Sequence, residues 1–88
     1  MKYTCPCCGY KTLVEEPPGT FDICEICFWE DDDYQYEFVD DTGANDVSFR
    51  EAQQNFIAFG AVNQRCLEFV RPPKKTDMRD PNWKCLGE

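Results

Sequence analysis

Two Cys-x2-Cys pairs, Cys5/Cys8 and Cys24/Cys27, separated by fifteen residues, restrict this 88-residue chain more than any other feature. Two cysteines three positions apart can turn both sulfurs toward one ion from a single tight turn, and two such turns complete a tetrahedral four-thiolate site. Gly9 follows the first pair and lets the backbone curl so that amides face the sulfurs, while Pro6 pre-sets that turn. Phe28 stands in the matching place after the second pair, which makes that knuckle the less regular half. A chain this short buries only about 60–65% of its unfolded surface, so some staple is expected. One structural Zn2+ ion on Cys5, Cys8, Cys24 and Cys27 would provide it, and the chain has no His to offer instead. Such a closed ligand set leaves no open position for substrate or activated water.

Other uses of these thiols fit less well. Cys5-Pro6-Cys7-Cys8 resembles a redox Cys-Pro-x-Cys, but the helix that would activate its first thiolate is interrupted by Gly9 and Pro17-Pro18-Gly19. A secreted disulfide framework is disfavoured by the odd count of seven cysteines and by the lack of a signal-like segment near Met1. The chain therefore reads as cytoplasmic, with no membrane span. Of the remaining cysteines, Cys7 is expected as a partly buried turn residue or an oxidisable thiol beside the metal. Cys66 is expected as a core thiol and Cys85 as exposed.

The rest of the pattern predicts a small α+β fold: zinc-ribbon-like β-hairpins around the four-cysteine site, then a strand or loop, then one main α-helix. Residues 10–23, broken at Pro17-Pro18-Gly19, read as two short strands joined by a turn. Tyr34, Tyr36 and Phe38 alternate as a half-buried strand would. Ser48 to Glu51 forms a capping box, and Phe49, Ala52, Phe56 and Phe59 recur at helical spacing up to Gly60. A shorter helix or extended segment is expected over residues 64–70, ending before Pro72-Pro73. Trp83 is expected to fold back onto the core. These elements make a single domain over 1–88, with the ribbon and acidic strand in 1–42, a helical part in 46–71 and an irregular tail in 72–88.

The formal charge is −8, and residues 30–46 hold eight carboxylates with no Lys or Arg. That balance disfavours nucleic acid and favours a basic protein as partner. Four adjacent carboxylates cannot converge on one ion, so Glu30 to Asp33 read as a solvated acidic loop or as a binding surface. In the second reading Trp29 is the aromatic anchor and Glu30, Asp31, Asp32 and Asp33 steer the partner.

Cys5-Pro6-Cys7-Cys8-Gly9-Tyr10, the segment Ile23 to Asp32, Gly43-Ala44-Asn45 and the helix carrying Asn55 and Phe59-Gly60 together resemble the bacterial cysteine-rich CPCC family. The resemblance runs from about Tyr3 to Trp83. It implies a bacterial origin and a ribbon-like zinc domain, and it permits an immunity role beside a toxin. The family pattern has Pro where Asp33 stands.

With one Ser, no His and no Gly-rich phosphate loop, few groups could act as a nucleophile with a matched base. The leading expectation is a non-enzymatic, zinc-stabilised protein-interaction module, of immunity or antitoxin type, that binds a basic toxin through its acidic surface. A thiol-based redox sensor or enzyme on the spare cysteines is the second reading. A nucleic-acid-binding ribbon, supported by the basic stretch between Arg71 and Lys84, is the third.

Overall fold

The computed structural model describes residues 2–87 and shows a small α+β fold. Strand β1, Tyr3–Thr4, pairs antiparallel with β2, Lys11–Leu13, with a register irregularity between Tyr3 and Thr4. Between them sits the first knuckle, so β2 pairs backward across Cys5 to Cys8 and not across Pro17-Pro18-Gly19 as the sequence suggested. The segment after that turn makes a second, irregular hairpin instead. Phe21 N donates to Asp31 O (2.8 Å), Asp31 N to Asp22 O (2.9 Å) and Cys24 N to Trp29 O (3.0 Å), with the second knuckle at its tip.

Helix α1, Asp33–Glu37, replaces the predicted strand over Tyr34 to Val39. Asp32 caps it, its Oδ1 accepting from Tyr34 N at 2.9 Å, and Tyr34 and Phe38 stack one turn apart at 4.8 Å. A strand would have put Tyr34, Tyr36 and Phe38 on one buried face; all three are instead exposed, while Gln35 turns inward.

Helix α2, Phe49–Phe59, forms where the capping pattern placed it. Ser48 Oγ accepts from Glu51 N at 3.1 Å, worth about 1 kcal/mol, and Gly60 ends the helix at φ 98°. Phe49 and Ala52 are buried, and Gln53 ties α2 to the first knuckle through Nε2 to Pro6 O at 3.0 Å. After α2, Val62 N donates to Cys27 O at 2.9 Å, and a 3-10 helix follows over Gln64–Phe69. Cys66 lies there half-buried and not in the core as expected.

The tail crosses both knuckles. Arg71 N donates to Glu25 O (3.3 Å), Asp80 N to Gly9 O (2.8 Å) and Trp83 Nε1 to Pro6 O (2.7 Å). Trp83 thus folds back as expected. The core is built around the thiols themselves, with Leu13, Ile26, Trp29, Phe49, Ala52 and Val62 packed about five fully buried cysteines.

Candidate metal centre

Each knuckle is the same short backbone loop. Gly9 N donates to Cys5 O (2.9 Å) and Cys5 N to Tyr10 O (2.8 Å); Phe28 N donates to Cys24 O (2.8 Å) and Cys24 N to Trp29 O (3.0 Å). The loop requires a positive φ at the residue after the second cysteine, and both knuckles supply it: Gly9 at 82° and Phe28 at 71°. For Phe that conformation is strained by about 1–3 kcal/mol. A Cβ on Gly9 would lie 2.7 Å from Trp83 Cδ2, so glycine is needed there for the approach as well as for the turn.

These loops bring Sγ of Cys5, Cys8, Cys24 and Cys27 within 4.8 Å of one another, all four buried. Cys5 and Cys27 lie 3.7 Å apart, as do Cys8 and Cys24. Sulfurs about 2.3 Å from a central ion in a tetrahedron are about 3.8 Å apart, so the observed edges fit one tetrahedrally held ion. Among the described residues this is the one cluster of three or more metal-ligating side chains. The four cysteines singled out by spacing are therefore brought together as a metal site.

Electrostatics point the same way. Burial pushes the Cys5 and Cys27 thiols well above the ordinary thiol range, while hydrogen bonds from Cys27, Cys5 and Cys8, with another from Thr12, pull Cys24 down. Four thiolates cannot share so dry a space without a cation, and a bound metal ion is what lets the protons leave. The Thr12 hydroxyl donates to Cys24 Sγ at 2.9 Å and Trp29 N to Cys27 Sγ at 3.4 Å. Thr12 was not found from sequence; its place within the first strand expected over residues 10–23 carries no thiol signal. Cys7 is fully buried beside Cys27, with burial pushing its thiol up, but it stands outside the cluster of four. It is thus more deeply buried than expected.

The acidic run is not one surface. Trp29 is 1% exposed and packs on Phe49 at 5.2 Å, so it is a core residue and cannot anchor a partner. Asp31 and Asp32, 0% and 7% exposed, point inward. Asp31 Oδ2 accepts from Thr20 N and Oγ1 at 3.0 and 2.8 Å, and its Oδ1 is buried with no hydrogen-bond partner among the described residues. Asp32 Oδ2 accepts from Ala44 N at 2.9 Å, and a Cβ on Gly43 would lie 2.5 Å from that oxygen. Glu30 is half-buried, and Asn45 binds its backbone on both sides, Glu30 N to Asn45 Oδ1 and Asn45 Nδ2 to Glu30 O, each at 2.8 Å. Gln35 completes this network, donating to Asp41 O and Val47 O and accepting from Asn45. Of the five residues proposed for a partner, Asp33 alone is exposed. The first part of the run is structural, locking residues 41–47 onto the second hairpin.

A family model described as Cysteine-rich CPCC matches residues 3–77. The chain belongs to that family. No curated protein matches it. The CPCC match takes in both knuckles, the buried polar network and Arg71, and stops short of Trp83. Asp33 occupies the first position of α1, where an acidic side chain is favoured by the helix dipole and Pro would also fit.

Proposed function

We propose that this CPCC protein is a zinc-stabilised, non-enzymatic interaction module that binds a basic protein through an acidic and aromatic surface centred on α1. The closed, fully buried four-thiol cluster supports a structural ion, and zinc is the ion that most often takes such a set. The observation that carries the binding reading is the outer side of α1. Tyr34 and Phe38 are 46% and 50% exposed beside Asp33, Glu37 and Asp41, a pairing of apolar area with carboxylates that no Lys or Arg among the described residues bridges, while Asp40 is already paired with Arg50 at 2.8 Å. This moves the contact surface forward along the chain from Trp29–Asp33 to Asp33–Asp41. A toxin neutralised by an immunity or antitoxin-type protein is the most concrete form of such a partner. A reducing, bacterial cytoplasm suits the free thiols.

The test has two arms. Elemental analysis of the purified chain should return one zinc per chain; iron or no metal would overturn the ion assignment. Affinity capture from the native host, repeated with Asp33→Lys and Glu37→Lys combined, should yield a basic protein that the variant fails to hold. An unchanged capture profile would sink the acidic-surface reading. A thiol-based role would have to run through Cys7, whose full burial and raised pKa weigh against it. An oxidative response that disappears in Cys7→Ser while zinc content is retained would support that second reading.

A further inference from the structure

Two hollows open side by side where the first knuckle, α1, α2 and the tail meet. One, of about 210 Å³, is closed by Thr4, Pro17, Pro18 and Asn82, and the other, of about 410 Å³, by Phe49, Gln53, Lys84 and Leu86. Both are walled by Pro6, Tyr36 and Trp83, so they are two halves of one groove. The walls are fixed in advance. Trp83 Nε1 and Gln53 Nε2 both donate to Pro6 O, at 2.7 and 3.0 Å, and Leu86 N donates to Gln53 Oε1 at 2.9 Å. A groove held in this way costs an occupant little ordering free energy.

The hollows themselves are balanced, with Asp80 lining one and Lys84 the other, so the charge that selects an occupant lies beside them on α1. At about 100° per residue, α1 places Gln35 inward, Asp33 and Glu37 on the opposite side, and Tyr36 on the flank toward Phe49, whose ring lies 5.7 Å away. Asp33 also touches the Pro17-Pro18-Gly19 turn, since a Cβ on Gly19 would lie 3.3 Å from Asp33 Cβ. A crest of two carboxylates therefore runs along α1 outside the hollows, next to the Tyr36 wall they share. No Lys or Arg among the described residues pairs with either.

We infer that this groove takes an extended, basic polypeptide segment, with two apolar side chains in the two hollows and a Lys or Arg on the Asp33/Glu37 crest. The inference rests on the acidic-surface reading above and gives it a site and a binding mode. An extended chain suits two adjoining hollows because alternate side chains enter them while the backbone follows the groove. A nucleic-acid strand would set its phosphates against Asp33, Glu37 and Asp80, and a wholly apolar ligand would leave the crest without a counter-charge.

Random short peptides displayed on phage and selected on the zinc-loaded full chain test this directly. Winners should carry net positive charge and two apolar residues, and a synthetic winner should shift the amide NMR signals of Tyr36, Phe49 and Leu86. Tyr36→Ser and Leu86→Ser, each checked for metal content and circular dichroism, should each weaken binding by about tenfold, and Asp33→Lys with Glu37→Lys by at least as much. If the charge reversal abolishes binding and the two groove variants do not, the groove is wrong and the acidic-surface reading stands. If only the groove variants fail, the basic occupant and the acidic-surface reading fall together. Acidic winners, or no enrichment, overturn the inference.

Discussion

In the first knuckle the residue after the second cysteine is Gly9, roofed by the Trp83 ring; in the second it is Phe28, stacked on Phe69 at 5.3 Å. Backbone hydrogen bonds repeat almost atom for atom between the two, so the difference lies in how each is covered. The first is held by an indole and a carbonyl. The second is held by charge: Arg71 Nε donates to Glu25 Oε2 at 2.8 Å and the same guanidinium grips Asp77 with two bonds of 2.7 and 2.9 Å. A metal loop of this kind therefore sets strict backbone demands and leaves its outer face free to be closed by different chemistry.

The largest effect should be common to both knuckles. Stripping the metal with a strong chelator removes an apparent binding free energy on the order of 10–16 kcal/mol, enough to exceed the stability of a whole small domain. Circular dichroism should show both hairpins lost together. A melting curve that survives chelation, or one knuckle melting alone, would break the equivalence.

The knuckles should part in their response to mutation. Gly9→Ala, which drives a Cβ into Trp83 at an unfavourable φ, should cost about 2–3 kcal/mol in the metal-loaded protein. Phe28→Gly relieves strain but gives up the stack on Phe69, for a net loss nearer about 1 kcal/mol. Denaturant midpoints measure both; equal losses would mean that the φ requirement is not what separates the loops. Thr12→Val keeps the shape but removes the hydrogen bond to Cys24 Sγ, and should lower metal affinity by about tenfold in competition with a chromophoric chelator.

The smallest effect should fall on the charged clamp. Hydrogen bonds from Arg71, then from the Lys74 amide, hold the Asp77 carboxyl down to about 2. A depressed carboxyl stabilises the fold above its unfolded pKa, near 4, and that contribution is lost as pH falls toward about 2. At neutral pH the clamp is intact, so Asp77→Asn or molar salt is needed to loosen it. Amide exchange should then quicken at Arg71 and not at Trp83; equal quickening would show that the two covers open as one.

The metal ligands and α2 were legible because their signals are local: paired spacing for one, Ser48 with a periodic apolar stripe for the other. What sequence hid depends on distant chain. Tyr34, Tyr36 and Phe38 alternate convincingly, yet Asp32 caps a helix while the Ala44 amide returns to hold its other oxygen. Trp29 and Asp31 look like a sticky acidic edge until Phe49 and Thr20 arrive to cover them. The Pro17-Pro18-Gly19 turn suggested a hairpin whose true first strand lies upstream of Cys5.

The tail that spans both knuckles bears on how the ion is traded. Sulfurs with no exposed surface exchange their metal only when the covering chain lifts away. Here that cover is pinned at Glu25, Gly9 and Pro6 by residues that follow the last ligand by dozens of positions. The lifetime of the loaded site is thus governed by a latch remote from its ligands, and altering Arg71 or Trp83 would change how quickly metal comes and goes while leaving every sulfur in place.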